Sequence, residues 1–241
     1  MPDWGWVCVI FLCGGAVQGT AGFGFGLTAL ALLGLVTDLR DAAVLVLFGA
    51  LAINAIILLR VGRHFRLERM RPFLLLSLAG VPLGVLGLAR LDLSILHLFL
   101  GVLLLASAVQ RWIPALAARR WHPLWCGAPL GLLSGLLSGA FGTGGPPAVA
   151  YVAAQQFARE RYAATLQVIF AVAGLFRLGV LSRTDLLTAP VAGLGLFGAL
   201  FAVAGALAGL RLQGRLSQQA LAAVISVCLF LFGLRYLALL L

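Results

Sequence analysis

A ten-residue glycine pattern occurs twice in this 241-residue chain, with the copies 120 positions apart. The pattern G-x-x-x-G-x-x-G-x-G comprises Gly15, Gly19, Gly22 and Gly24, and again Gly135, Gly139, Gly142 and Gly144. Each copy lies inside a long apolar stretch. Glycine-broken hydrophobic segments at matching places in the two halves of a chain indicate a secondary transporter with internal repeats.

Composition places the whole chain in a membrane. Hydrophobic residues make up 63% of it and the mean hydropathy is +1.12, which exceeds what a soluble core can hide. Apolar runs long enough to cross about 30 Å of hydrocarbon recur along its length. We therefore predict an all-α, polytopic integral membrane protein with one transmembrane domain, residues 1–241. Its eight hydrophobic segments are approximately 4–36, 41–59, 72–89, 93–113, 123–156, 161–182, 188–210 and 217–240.

Segments one and five, 4–36 and 123–156, are too long for one straight span at about 1.5 Å per residue. Each is interrupted near its middle by the glycine pattern. We predict that each consists of two half-helices joined by a glycine turn, and that the second half-helices begin near Leu27 and Pro147. The two segments either cross the membrane or re-enter it as hairpins.

The distribution of charge favours the hairpins. All 17 basic residues are arginines. Hairpins would place twelve loop arginines on one side of the membrane and four on the other, whereas crossing segments would give ten and six. The positive-inside rule prefers the larger asymmetry. A hairpin followed by three spans is an odd number of crossings, so the halves, approximately 4–113 and 123–240, would be inverted-topology repeats.

Several classes of protein are disfavoured. The net charge of +10 comes from arginines between apolar runs, the pattern of cytoplasmic loops, so no nucleic-acid partner is expected. The four cysteines lack metal-ligand spacing, and we expect no metal and no cofactor. Without lysine a Walker loop cannot form, and no dinucleotide fingerprint or nucleophile elbow is present. We therefore predict that the protein is not an enzyme.

The glycine breaks are the candidate substrate site. A broken helix leaves free backbone N–H groups, which are tolerated at membrane depth only inside protein or beside a cavity, and a helix N-terminus favours an anion. Close helix packing through G-x-x-x-G is the alternative explanation for the glycines. The predicted substrate-binding residues are Gln18, Gly19, Thr20, Gly22, Gly24, Gly26, Asn54, Ser138, Gly139, Gly142, Thr143, Gly144, Gly145 and Arg177.

Two of these residues have competing interpretations. Arg177 is the one arginine inside an apolar run, so it either pairs with an anionic substrate or extends to the membrane surface. Asn54 is either a substrate ligand or part of a hydrogen bond between helices. All seven carboxylates lie at segment ends or in loops. The sequence thus offers no obvious coupling group, and an exported anion needs none, because an inside-negative potential drives anions outward.

The chain resembles the sulfite exporter TauE/SafE family of bacterial membrane proteins over nearly its whole length. The resemblance rests on the runs Val17–Leu27 and Gly131–Pro147, which look like the duplicated glycine motif of that family, and on the arginine-rich loop after segment two. It implies transport of a sulfur-containing anion, sulfite or an organosulfonate such as sulfoacetate, across the bacterial cytoplasmic membrane. Two departures are Phe25, which interrupts a glycine run, and Ala163, where many members carry arginine.

The favoured function is therefore an exporter of a sulfur-containing anion that binds between the two breaks. A passive anion channel of the same fold and, ranked last, a membrane scaffold without a solute remain open as alternatives. The expected partners are a small anionic solute and the lipid bilayer, and the apolar surface is compatible with a homo-oligomer.

Overall fold

The computed structural model describes residues 3–68, 70–110, 121–213 and 218–240, which form ten α-helices and no strand. The helices are α1 (Trp4–Ala21), α2 (Phe25–Leu33), α3 (Leu39–Val61), α4 (Arg71–Arg90), α5 (Leu93–Gln110), α6 (Ala128–Phe141), α7 (Gly145–Ala154), α8 (Arg159–Leu181), α9 (Ala189–Leu212) and α10 (Gln218–Ala238). A 3-10 turn, Gly62–His64, follows α3, and a π-helical turn, Pro123–Gly127, leads into α6. The predicted all-α class is confirmed. Five of the loop arginines on which the predicted topology depends lie outside the described residues: Arg69, Arg111, Arg119, Arg120 and Arg215.

The helices are those of a multi-pass membrane protein. Within the described part of the chain, seven helices are long and apolar enough to cross a membrane. The apolar part of α10, Ala223–Ala238, is shorter. Large apolar side chains point outward, among them Leu59 at 88% exposure and Trp125 at 84%, as expected where lipid rather than water covers the surface.

Segment five folds back on itself as a helical hairpin. Near the turn, Ser134 Oγ donates a hydrogen bond to the Gly144 carbonyl oxygen at 2.7 Å. At the far end, Gln155 Nε2 donates to the Trp121 carbonyl oxygen at 3.0 Å, so the two ends of the segment meet. The ten residues of α7 extend only about 15 Å, roughly half of a bilayer core. The segment is therefore a hairpin with one long arm, Pro123–Phe141, which is itself long enough to cross a membrane, and one short arm.

Segment one also turns back. The nine residues of α2 lie against α1, where a Cβ atom on Gly14 would be 3.1 Å from Phe25 Cδ2 and 3.5 Å from Ala29 Cβ. The Phe11 and Phe25 rings meet edge to face, with centroids 5.2 Å apart. Both predicted breaks are therefore present in the structure.

Each of the two broken helices packs against a helix from the other half of the chain. Helix α1 lies parallel to α9, because Gly15 contacts Ala202 and Gly19, one turn later, contacts Ala206. A Cβ atom at either glycine would collide with the backbone carbonyl oxygen of that alanine. The backbones are thus as close as in G-x-x-x-G helix pairs.

The equivalent packing in the second half joins α6 to α4, again in parallel. Gly135 lies on the Ser77 carbonyl and Gly139 on the Val81 carbonyl, and neither position has room for a Cβ atom. The first two glycines of each copy therefore serve helix packing, and only the last two form the break.

Helices α3 and α8 lie antiparallel beside the breaks. A Cβ atom on Gly174 would be 2.9 Å from Leu51 Cδ2, and Arg177, about one turn further along α8, reaches back to the Ala43 carbonyl. These two long helices carry the side chains that complete the candidate site.

Candidate functional site

The break in segment one is a three-residue turn, 22–24. Gly22 closes α1 in the left-handed conformation, with φ of 82° and its N–H donating to the Gln18 carbonyl at 2.7 Å. Gly24 precedes α2 with φ of 119°. The Gln18 side chain crosses the turn, because its Oε1 accepts from the Phe25 N–H at 3.3 Å. Helix α2 thus begins two residues before the predicted Leu27.

The break in segment five has the same length but different geometry. Gly142 closes α6 with φ of 71°, and its N–H donates to the Ser138 carbonyl at 2.9 Å. Gly144 precedes α7 with an ordinary φ of −70°. Helix α7 begins at Gly145, two residues before the predicted Pro147.

The two breaks touch each other. A Cβ atom on Gly26 would lie 3.0 Å from both the Gly142 carbonyl oxygen and Thr143 Cγ2. Gly145 faces Phe23 with more space, since its Cβ atom would be 3.9 Å from Phe23 Cδ2. The N-termini of the half-helices α2 and α7 are therefore brought together, although they come from opposite halves of the chain.

A cavity lies where the breaks meet α3 and α8. It encloses ≈ 590 Å³ of empty space, a volume that includes its opening to solvent. Its lining consists of Gln18, Phe23, Gly24, Gly26, Leu27, Leu47, Ala50, Leu51, Asn54, Ser138, Gly142, Thr143, Gly144, Gly145, Phe170, Gly174 and Arg177. Among the described residues, this lining contains one cationic side chain, Arg177, and no carboxylate.

Arg177 is fully buried, at 0% exposure, so it does not extend to the membrane surface. Its Nε donates to the Gly139 carbonyl at 2.9 Å, Nη2 to the Ala140 carbonyl at 3.3 Å, and Nη1 to the Ala43 carbonyl at 3.0 Å. The first two acceptors belong to the last turn of α6, where carbonyls lack helical partners and the helix dipole is negative. The guanidinium therefore caps α6 as a cation.

The same guanidinium keeps hydrogen-bonding capacity for a ligand. Arginine has five N–H donors, and three acceptors are present among the described residues. None of these acceptors is a carboxylate, so within the described part of the chain no ion pair neutralises the positive charge of Arg177. A buried, unneutralised cation beside a cavity attracts an anion.

The Asn54 side chain is held by a hydrogen bond from Gln18. Its Oδ1 accepts from Gln18 Nε2 at 3.0 Å, and the side chain is 2% exposed. Asn54 therefore forms a hydrogen bond between helices α1 and α3. It also lines the cavity, so this bond is compatible with a role as a substrate ligand.

Further donors at the cavity lack acceptors within the described part of the chain. Thr143 Oγ1 is buried without a hydrogen-bond partner. The N–H groups of Gly26 and Leu27 belong to the first turn of α2, which has no partners inside the helix. In α7 only Gly145 can donate from the first turn, because Pro146 and Pro147 have no N–H.

Ten of the fourteen predicted binding residues line the cavity: Gln18, Gly24, Gly26, Asn54, Ser138, Gly142, Thr143, Gly144, Gly145 and Arg177. The other four lie outside it. Gly19 and Gly139 pack on α9 and α4. The Thr20 hydroxyl donates back to carbonyls within α1, and the Gly22 carbonyl accepts from Gln167 Nε2 at 3.1 Å.

The apolar residues that line the cavity were not among the predicted binding residues. Leu27, Leu47, Ala50, Leu51, Phe23, Phe170 and Gly174 also line it. In a chain that is 63% hydrophobic, nothing in the pattern separates these side chains from lipid-facing ones. Among the described residues, no group of three histidine, cysteine, aspartate or glutamate side chains could hold a metal ion.

The chain matches a known family of membrane proteins. The model of the sulfite exporter TauE/SafE family matches residues 7–236, nearly the whole chain. No curated protein and no solved structure matches the chain significantly. The family match confirms the resemblance seen in the glycine motifs, and the chain belongs to this family of membrane transporters of sulfite-type anions.

Proposed function

We propose that this member of the sulfite exporter TauE/SafE family exports a sulfur-containing oxyanion, which binds in the cavity between the two glycine breaks. The anion is sulfite or an organosulfonate such as sulfoacetate. The proposed ligands are the Arg177 guanidinium, the Asn54 amide, the Thr143 and Ser138 hydroxyls, and the first-turn N–H groups of α2 and α7.

One observation carries this proposal: Arg177 is fully buried, lines the cavity and has no carboxylate partner among the residues that the structure describes. Burying a cation costs free energy unless it is compensated. The carbonyls at the end of α6 compensate part of that cost. An anion in the cavity would compensate the rest of this cost. Its oxygens would accept hydrogen bonds from the Arg177 N–H groups that the carbonyls leave unused.

The arrangement of helices supports alternating access by two inverted repeats, approximately 4–113 and 123–240. Exchanging the halves converts the α1–α9 pair into the α6–α4 pair, both of which are parallel. Helices α5 and α10 run antiparallel, with Gly101 against Leu237 and Leu105 against Gly233. A two-fold axis in the membrane plane would relate the helices in this way, with the anion near the axis.

The direction follows from the charge of the solute. In the bacterial cytoplasmic membrane, where we place the protein, an inside-negative potential drives an anion outward by about 2.3 kcal/mol per charge per 100 mV. The lining residues that the structure describes include no carboxylate to carry a proton. We therefore expect electrogenic export without a coupled cation.

The test is sulfite efflux from proteoliposomes loaded with sulfite, with sulfate, sulfoacetate and thiosulfate as competitors. We expect saturable efflux that accelerates when an inside-negative potential is imposed. Efflux that does not saturate, accompanied by measurable current, would assign the fold to a passive channel. Absence of flux for all four anions, with the protein inserted and folded, would contradict the proposal.

A further inference from the structure

A directional hydrogen-bond chain crosses the first break. The Phe25 N–H donates to Gln18 Oε1 at 3.3 Å, and Gln18 Nε2 donates to Asn54 Oδ1 at 3.0 Å. All three residues are buried, at 0%, 5% and 2% exposure respectively. A backbone N–H can only donate, so the Phe25 N–H must face the Gln18 oxygen, Oε1. The Gln18 Nε2 group can also only donate, so it must face the Asn54 oxygen, Oδ1.

The end of this chain is a pair of donors. Because Asn54 Oδ1 faces Gln18, the Asn54 Nδ2 group must point away from it. Within the described residues Nδ2 has no acceptor, yet it is not among the fully enclosed atoms that lack a partner, and Asn54 lines the cavity. The Nδ2 group therefore faces the cavity and offers its N–H groups there.

We propose that Gln18 is a positioning residue that keeps the donor end of Asn54 turned toward the bound anion, and that this orientation selects oxyanions carrying no proton. The inference rests on the proposed function and replaces the role of Gln18 as a direct ligand. Gln18 has its Oε1 and one N–H committed to Phe25 and Asn54 and acts on the solute through Asn54.

The selectivity follows from the chemistry of the cavity. A fully ionised oxyanion, such as sulfate or a sulfonate, only accepts hydrogen bonds. Phosphate at neutral pH carries at least one O–H, which needs an acceptor when it is buried. The described lining has no carboxylate, and Asn54 Oδ1 is turned away. The side-chain groups left to accept this O–H are the Ser138 and Thr143 hydroxyls, which are weaker acceptors than a carboxylate.

The test is a double-mutant cycle in the sulfite efflux assay. The readout is the ratio of the inhibition constants of phosphate and methanesulfonate, determined at several pH values. We expect wild type to favour methanesulfonate, and Gln18→Met and Asn54→Leu each to reduce the ratio about tenfold, which corresponds to about 1.4 kcal/mol. The double variant should show no further reduction, because coupled residues are non-additive.

A second variant tests the orientation itself. In Gln18→Glu the carboxylate accepts from Phe25 and can only accept from Asn54, so the Asn54 amide should turn and present Oδ1 to the cavity. The added charge weakens the binding of all anions. The inhibition constant of phosphate relative to that of methanesulfonate should nevertheless fall further, most strongly at low pH, where phosphate carries more protons. Ser107→Ala removes a buried hydrogen bond to the Leu103 carbonyl outside the cavity and should leave the ratio unchanged.

The outcomes separate the two proposals. Additive reductions in the double variant, or a ratio unchanged in Gln18→Met and Gln18→Glu, would overturn the positioning role while the transport proposal stands. Variants that lose folded protein at an unchanged ratio would show a purely structural role and would also overturn it. A folded wild-type protein that moves none of the anions would overturn the proposed function, and this inference with it.

Discussion

The two glycine breaks share one sequence pattern but satisfy the ends of their helices differently. At the end of α1, neutral amides supply the caps: Gln213 Nε2 donates to the Thr20 carbonyl at 3.3 Å and Gln167 Nε2 to the Gly22 carbonyl at 3.1 Å. At the end of α6, the charged guanidinium of Arg177 caps the last turn.

The half-helices that follow the breaks also differ, in a complementary way. Helix α2 offers the backbone N–H groups of Gly26 and Leu27 beside the cavity, whereas Pro146 and Pro147 remove two of the three donors from the first turn of α7. The first break thus supplies backbone donors, and the second supplies side-chain donors and the positive charge. A near-symmetric pattern has produced an electrostatically asymmetric site.

The largest effect is expected for Arg177→Met, which removes the charge that distinguishes the second break. It leaves buried carbonyls without their donor, and each unsatisfied buried acceptor costs about 1–3 kcal/mol. We expect sulfite efflux to fall by about 100-fold or more. Arg177→Lys keeps the charge but loses the forked geometry, and should retain a measurable fraction. Wild-type efflux in Arg177→Met would contradict the assigned role.

A matched pair of glycine variants compares the turns themselves. Gly142 and Gly22 both have positive φ, so alanine at either site costs about 1–2 kcal/mol. Only at Gly142 would the new Cβ atom also meet Arg177, at 2.8 Å from Nη1, while Gly22 has nothing within 4 Å. We expect Gly142→Ala to reduce efflux at least about tenfold more than Gly22→Ala.

The larger substitution Gly142→Val should abolish transport while the protein remains inserted and folded, as judged by a monodisperse elution profile in detergent. Gly193→Ala is a suitable control, because nothing lies within 4 Å of its Cβ position. Equal efflux in Gly142→Ala and Gly22→Ala would show that the contact with Arg177 has no importance for transport.

A third comparison probes the contact between the breaks. Gly26→Ala would place a Cβ atom 3.0 Å from the Gly142 carbonyl and the Thr143 side chain, whereas Gly145→Ala has 3.9 Å to its nearest neighbour. We expect Gly26→Ala to reduce the efflux rate several-fold, which corresponds to a rise of roughly 1 kcal/mol in the activation free energy of transport. Gly145→Ala should have the smaller effect. The reverse order of efflux rates would mean that the breaks separate during transport.

The smallest effect on transport is expected from the neutral caps of α1. Gln213→Leu leaves the Thr20 carbonyl without its donor, and an unsatisfied buried group costs about 1–3 kcal/mol. Because Gln213 does not line the cavity, thermal stability in detergent should fall while the KM for sulfite stays at the wild-type value. A raised KM without lost stability would instead place this cap in the transport pathway.

Much of the fold could be predicted from the sequence because a long, continuously apolar segment in a membrane satisfies its own backbone hydrogen bonds only as a helix. The predicted segments 41–59 and 72–89 became α3, Leu39–Val61, and α4, Arg71–Arg90, with ends shifted by one or two residues. The half-helices begin two residues earlier than predicted, because the turn is complete by Gly24 and Gly144, which immediately precede them.

The candidate site was only partly predictable. Glycine spacing located both breaks, but it could not separate Gly19 and Gly139, which pack helices together, from Gly142 and Gly145, which line the cavity. Both kinds of glycine have the same local signature in an apolar run. The difference depends on which helix lies alongside.

The sequence by itself therefore determined that the chain is a helical membrane protein with two glycine-broken segments, because apolar length and backbone hydrogen bonding are local properties. Only the tertiary structure decided that Arg177 caps α6 rather than reaching the surface, and that Asn54 turns its donors to the cavity. These arrangements join residues 36 to 134 positions apart. Their geometry is set by how α3 and α8 pack across the two halves of the chain.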